Sequence, residues 1–509
     1  MQKDDSSKVL GAGPRETPAP IELSSEQFRR LGHQLVDHIA EFLESLPRRS
    51  VTPHELPSVV RAQLPTRSVP EVGTEPGALL NEAVQLLFEH SLFNGHPRFW
   101  GYISSSAAPI GALADLLAAT VNPNVGGWGP APIATEIEAQ TVRWIAELIG
   151  YTSDCGGLLV SGGNMANFVG ILAARKAQAQ WDVRKQGLRP SGTGRLRLYA
   201  SEETHTWIQK GADLFGFGTD AISWIPTDER LRVDLKALRS RIRTDRQNGD
   251  VPFVVVGTAG SVSTGVIDPL PELAAICREE GLWFHVDGAY GGLAAMLSNA
   301  PRDLQGLREA DSVAVDPHKW LYAPLEAGCV IVRHAKQLRD TFSYHPVYYR
   351  LDEEEPAINY HEYGLQNSRG FRALKVWLAL RQVGRAGYQR MIGDDIALAH
   401  ELAERVQAHP ELELCTQNLS ITTFRYVPKG LQMGAEASEA YLNELNSTLL
   451  LQLQESGEAY LSNAIVRGKF LLRACIVNFR TSLADVSALP GLVTRIGSEL
   501  DHKNRPSAV

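Results

Sequence analysis

Cysteine is scarce in this chain. The five that occur, Cys155, Cys277, Cys329, Cys415 and Cys475, are odd in number and widely spaced, and none forms a C-x-x-C pair. That pattern excludes a disulfide-built miniprotein and reads as reduced thiols in a cytoplasmic protein. An excess of positive charge is also missing. Fifty Lys and Arg stand against fifty-eight Asp and Glu, a net charge of -8 with no long basic run. Nucleic acid and membrane surfaces are therefore poor partners. No apolar stretch reaches the ~18 residues that a membrane helix needs, and Met1-Gln2-Lys3-Asp4-Asp5 is too polar to open a signal peptide. Internal repeats and low-complexity blocks are absent, and 44 Gly and 28 Pro are ordinary for 509 residues. At roughly 150 residues per domain the length allows two to four domains. Composition gives no chemistry, and no metal site is read from it.

The order of elements is more informative. Residues 1 to 20, with Pro14, Pro18 and Pro20, read as a flexible leader. Ser24 with Gln27 three residues on has capping-box spacing, and Phe28, Leu31, Leu35, Ile39, Phe42 and Leu43 form one apolar stripe at helical spacing. A connection punctuated by Pro53, Pro57, Pro65 and Pro70 leads to a second helix near 77–91. From residue 96, short β-rich runs alternate with amphipathic stretches. Strands are expected at 157–160, 196–200, 221–225, 253–257, 283–286, 312–315 and 329–332, with helices at 164–184, 235–243 and 272–279 between them. This alternation predicts an α/β fold with a mostly parallel seven-stranded sheet in a large domain. After Arg369 a long helix runs past Val383, and beyond Gly387 a small α+β unit is expected, with strands at 422–426, 459–462 and 470–477. The expected division is a leader and helical arm (1–95), a large domain (96–386) and a small C-terminal domain (387–509).

In open α/β sheets the site lies at the carboxyl ends of the strands. Four sequences fall there. Ser161-Gly162-Gly163-Asn164 takes a strand into a helix through a glycine pair, a geometry that serves a tight turn or an anion. It is not a P-loop, since no G-x-x-x-x-G-K-[ST] occurs and Gly468-Lys469 runs into Phe470. Gly216-Phe217-Gly218-Thr219-Asp220-Ala221 matches the dinucleotide fingerprint loosely but follows a helical stretch, and is set aside. His285-Val286-Asp287-Gly288-Ala289-Tyr290 ends an apolar strand in a carboxylate, which would serve as a helix cap or as the partner of a cationic ring nitrogen. Asp316-Pro317-His318-Lys319-Trp320 places a lysine just past a strand. Such a lysine either snorkels to solvent or, desolvated among apolar neighbours, supplies an imine-forming amine. Ser201-Glu202-Glu203-Thr204-His205 puts an imidazole on the same edge. A phosphate cradle, a carboxylate, an imine lysine and an imidazole able to lie on a flat ring are together the parts list for pyridoxal phosphate.

At this point the sequence resembles the group II pyridoxal-phosphate decarboxylases, and within them the aromatic-L-amino-acid decarboxylase branch, from about residue 24 to about 482. The resemblance implies a fold-type I enzyme working as a homodimer with sites at the subunit interface, and pyridoxal 5'-phosphate as cofactor. Carried over by motif, Lys319 would hold the cofactor as an imine, Asp287 would pair with its ring nitrogen, and Ala289 would lie beneath the ring with His205 above. Gly162, Gly163 and Asn164 would bind the phosphate with His318 nearby. Ser261 and Ser263, in the stretch Gly260–Gly265, would be cofactor-lining hydroxyls. Asp316 stands where some relatives have Asn and would bond to backbone or to His318 rather than to phosphate.

The segment 342–370, with Tyr344, Tyr348, Tyr349, Tyr360 and Tyr363 and the acidic run 352–355, resembles the family's mobile catalytic loop. Its matching tyrosine is Tyr360, which would return a proton to the substrate. Aldehyde-forming relatives typically have Phe there, so Tyr360 implies simple decarboxylation. Tyr102 and Trp128 would shape an aromatic side-chain slot, with Ser105 as a polar contact. The expected reaction is decarboxylation of an aromatic L-amino acid (tryptophan, tyrosine, phenylalanine or dopa) to its amine. The alternatives are an acidic substrate held by Arg98, aldehyde formation, or an inactive binding or scaffold dimer.

Overall fold

The structure is a computed structural model that describes residues 19–64, 68–344, 357–431 and 436–505. Most of the leader, Pro65, Tyr348, Tyr349 and the acidic run 352–355 lie outside the described residues. The chain divides into two compact units, one of residues up to 49 together with 53–92, the other of 50–52 together with 93 onwards.

In the first unit, Ser24 and Gln27 close the expected capping box on the helix Ser25–Ser45. Within this unit the stripe is only partly covered: Leu31 is buried and Phe42 stacks on Phe88 of the helix Pro76–Glu89, while Phe28 stays exposed.

The second unit is built on a seven-stranded sheet: β1 (Gly156–Val160), β2 (Leu196–Ser201), β3 (Ile222–Ile225), β4 (Val251–Thr258), β5 (Trp283–Asp287), β6 (Ser312–Val315) and β7 (Gly328–Val332), in the order β1-β7-β6-β5-β4-β2-β3. All run parallel except β7, which is antiparallel to both β1 and β6. The strands read as short apolar runs because both faces are covered. Leu159, Val255, Phe284 and Val313 lie in one buried cluster, and Leu158, Val254, Trp283 and Ala314 in another. The helix Gly163–Gln178 crosses the second face and ends earlier than the expected 184, where a separate turn Val183–Gln186 follows.

The long helix Ala373–Ala408 leaves helical geometry once, at Gly384 with φ +67°, and resumes. It leads to a four-stranded antiparallel sheet of β8 (Leu412–Asn418), β9 (Ile421–Tyr426), β10 (Ser462–Val466) and β11 (Lys469–Cys475). Two differences from the sequence reading have physical causes. β8 was not expected, because it is an edge strand whose residues are mostly half-buried and therefore lack apolar alternation. β10 starts later than 459 because the pairing is fixed by the two-residue turn Arg467-Gly468, both at positive φ, which suits a tight hairpin.

Candidate active site

Five of the strands deliver their carboxyl ends to one cavity of about 420 Å³. Ser161, Gly162, Gly163 and Asn164 follow β1, His205 and Trp207 follow β2, Thr258 ends β4, Asp287 ends β5, and Asp316, His318 and Lys319 follow β6. Parallel pairing places Thr258 and Ala314 directly beside Asp287.

The Asp287 carboxylate is buried and fixed in plane. Its Oδ2 accepts from the Trp207 indole N–H at 2.7 Å, and its Oδ1 accepts from the Ala289 backbone N–H at 3.1 Å. Behind it, His285 is fully buried between Ser312 and Asn167, at 2.7 Å from each, and burial pushes its imidazole down to about 4. His205 is also held neutral. Burial lowers its pKa first; Asp287 opposes that and Lys319 reinforces it. Its Nδ1 accepts from the Trp207 backbone N–H at 3.2 Å, so the ring proton sits on Nε2.

Lys319 is not among apolar neighbours. Its Nζ pairs with Asp316 Oδ2 at 3.0 Å, while His318 Nε2 lies 3.6 Å from the same oxygen. The expected contact of Asp316 with His318 is present, but the nearer partner of its side chain is the lysine, and its Oδ1 is buried without a partner. The lysine has a carboxylate counter-ion because its turn doubles back, with the Lys319 N–H donating to the Asp316 carbonyl at 2.9 Å.

The residues present fit pyridoxal phosphate on three observations. Gly162 adopts φ +140°, and a Cβ at Gly163 would stand 2.7 Å from Asp316 Oδ2, so this turn is kept bare at the amino end of a 16-residue helix, a suitable place for phosphate. The Thr258 hydroxyl lines the cavity, buried and unpartnered. The cavity volume lies within the range of small-molecule sites.

Other expected residues are placed elsewhere. Ser261 turns inward, its hydroxyl 2.9 Å from that of Thr264, and Ser263 bonds to Glu203; Gly260 and Val262 line the cavity instead. Ser105 sits behind the site and donates to the His318 carbonyl at 2.7 Å. Tyr102 is 56% exposed with its hydroxyl 3.3 Å from that of Tyr460. Trp128 is 39% exposed and donates to Glu136 at 3.0 Å. Neither aromatic lines the cavity.

Tyr360 is placed away from the cavity of its own chain. It is 1% exposed, lies in the buried cluster of Leu158, Val160 and Phe168, and carries the Arg369 guanidinium over its ring at 4.8 Å. Arg369 is itself locked to the buried Glu138, Nη1 to Oε2 at 3.2 Å, and donates to the carbonyls of Val125 and Leu159. Burial raises the Tyr360 phenol well above its ordinary value. It does not line the cavity of its own chain. Arg98, the cation considered for an acidic substrate, is paired with Asp485 at 3.1 Å and is likewise not in the lining.

The sequence reading passed over Thr258, Trp207 and Asn167. Thr258 was findable as the strand-end neighbour of Asp287. The bond from Trp207 to Asp287 joins residues 80 apart and has no local signal.

Residues 57–427 match the pyridoxal-dependent decarboxylase conserved domain, and the chain belongs to that family. An aromatic-L-amino-acid decarboxylase of Bacillus atrophaeus is 34% identical over 94% of this chain and 97% of its own length. A phenylacetaldehyde synthase of a Rosa hybrid cultivar is 29% identical over 89% of this chain and 90% of its own. The crystal structure of Oryza sativa TDC with PLP and tryptamine superposes with a TM-score of 0.87 at 26% identity, covering 95% of this chain and all of that one. The protein is a pyridoxal-phosphate-dependent amino-acid decarboxylase with the fold of that family, which displaces the reading as an inactive scaffold.

Proposed function

We propose that the protein decarboxylates an aromatic L-amino acid to its amine, in a cytoplasmic homodimer, with Lys319 holding the cofactor. The observation that carries the substrate class is the cavity's charge. Among the described residues Lys319 is the one Lys or Arg in its lining, and it is already matched by Asp316, so no cation waits for a second substrate carboxylate. Similarity to the Bacillus atrophaeus enzyme and to the structure with tryptamine supports the aromatic reading.

Bound pyridoxal phosphate supplies the electron sink for the pair released when the Cα–carboxylate bond breaks. The protein's own residues do the rest. The Gly162-Gly163-Asn164 turn offers backbone N–H groups to the phosphate. Asp287, its plane set by Trp207 and Ala289, holds a proton on the ring nitrogen and so deepens the sink. His205 and Ala289 both line the cavity and would hold the cofactor's ring between them, which would orient the bond to be broken. Among the described residues of the lining, His205, His318, Tyr290, Thr258 and Lys319 carry N–H or O–H groups, and His205 Nε2 and Lys319 Nζ are the ones we assign to returning a proton to Cα.

The dimer is supported by the helix Pro109–Val121, where Leu113, Leu116, Leu117 and Val121 are each more than half exposed. An exposed row of large apolar side chains on one helix is what a subunit interface would cover. No helix among the described residues is long and apolar enough to cross a membrane. A second reading, aldehyde formation, gains weight from the phenylacetaldehyde synthase and from the burial of Tyr360, which removes the sequence argument against it. The test is to assay the proteinogenic amino acids and dopa for carbon dioxide, amine, aldehyde and peroxide. Aromatic substrates giving amine without peroxide are expected. Preference for glutamate or aspartate would overturn the substrate class, and aldehyde with peroxide would establish the second reading.

A further inference from the structure

The long helix Ala373–Ala408 carries one carboxylate into the interior, directly behind the Lys319 turn. Asp395 is 2% exposed, and its Oδ2 accepts from the Tyr322 hydroxyl at 2.7 Å while its Oδ1 accepts from the Asn478 backbone N–H at 3.4 Å. Both partners lead to the cavity. Tyr322 lies three residues past Lys319, held at φ +52°, and its N–H donates to the Lys319 carbonyl at 3.1 Å. Its own carbonyl accepts from the Ala108 N–H at 2.8 Å. Asn478 follows β11 and donates through Nδ2 to the His96 carbonyl at 2.7 Å, and nearby Thr481 donates to the Pro97 carbonyl at 2.6 Å. Those two residues begin the stretch that reaches Ile103 of the cavity lining. A second grip comes from the same helix, where the Tyr388 hydroxyl donates to the Leu321 carbonyl at 3.0 Å.

We propose that Asp395 is a positioning residue whose carboxylate, through Tyr322 and the Asn478 amide, holds the Lys319 turn in register with the segment leading to Ile103, and that loss of its charge lets the turn shift. The proposal rests on Lys319 being the residue that holds the cofactor. As an anion Asp395 accepts from both neighbours. Once protonated, the carboxyl keeps only part of its acceptor capacity and gains a donor, so its grip on the Asn478 N–H and the Tyr322 hydroxyl weakens. The groups facing it are the Tyr322 phenol, the Trp320 indole N–H, the Cys475 thiol and the neighbouring Asp394 carboxylate; none is a cation. Burial with no cation beside it pushes the Asp395 carboxyl up to about 7, so its charge turns over near neutrality.

The experiment is a pH titration of the holoenzyme's visible cofactor absorbance from pH 6 to 8, with kcat and KM in parallel, for the wild type, Asp395→Asn and Tyr322→Phe. In the wild type a spectral transition near pH 7 is expected, with kcat rising toward the alkaline side. Asp395→Asn should abolish the transition and lower kcat about tenfold at alkaline pH with KM little changed. Tyr322→Phe removes one donor to the anion and should move the transition up by about one pH unit, and it serves as the measurement if Asp395→Asn does not fold. A flat wild-type titration, or a transition that stays in place in both variants, overturns the proposal. Borohydride fixation followed by peptide mapping separates the premise: label on a residue other than Lys319 sinks the cofactor assignment, whereas label on Lys319 with an unmoved transition sinks the role of Asp395 alone.

Discussion

The floor of the cavity and its surroundings are built by different rules. The floor is made of strand ends. Asp287, Thr258 and Asp316 take their places from a ladder whose register is fixed by hydrogen bonds and by two buried faces, so each reactive group is located to within a side-chain rotamer. The surroundings are made of loops. Tyr102, Trp128 and Tyr360 depend on turns and on a buried ion pair, and two of the three are exposed. Chemistry that must not drift is tied to the sheet. Segments of the second kind can be rebuilt without touching the sheet.

Three substitutions test that division. Lys319→Ala removes the one amine on the floor and should lower amine release by at least about a thousandfold. Borohydride should then no longer fix the cofactor, and a protein still covalently labelled after this change would contradict the assignment. Arg369→Ala leaves the buried Glu138 without its partner and should lower stability to urea by about 3–5 kcal/mol. The fraction that stays folded should bind cofactor normally, because the pair grips β1 at Leu159 but neither residue lines the cavity. A weakened cofactor spectrum at low urea would show that the two regions are not separable. Tyr360→Phe should have the smallest effect, less than about threefold in turnover and about 1 kcal/mol or less in stability. Loss of amine with the cofactor still bound would return Tyr360 to the reaction.

The same contrast explains what was legible in the sequence. The seven strands of the large sheet were readable because each is a short apolar run between Gly, Pro and polar residues, and Asp287, Asp316 and Lys319 because they stand at the ends of those strands or within four residues beyond them. What failed depends on contacts between distant residues. Nothing near residue 360 announces that Arg369, drawn inward by Glu138, will seat its guanidinium over Tyr360 and bury the ring. Motif spacing located the segment but not the direction of its side chain. Ser261 failed for a similar reason. A turn closed by the Gly265 N–H donating to the Ser261 carbonyl at 2.8 Å folds that hydroxyl onto Thr264 and presents Gly260 and Val262 to the cavity.

The one reversed strand has a consequence for the lysine. Because β7 runs against β6, the chain need not cross the sheet between them, and residues 316–327 form a hairpin-like loop, whereas parallel neighbours must be joined by long crossovers. That loop is stitched to itself, the His318 N–H to the Ala327 carbonyl and the Ala323 N–H to the Pro317 carbonyl, each at 3.2 Å. It re-enters the sheet at Gly328, where a Cβ would stand 2.5 Å from the Gly162 backbone of the phosphate turn. The Lys319 amine is therefore on a short leash, anchored at both ends within one layer of the protein. Crossovers elsewhere can lengthen or shorten over evolutionary time without moving it. The stretch from Asp316 to Gly328 has no such slack and has to be inherited whole.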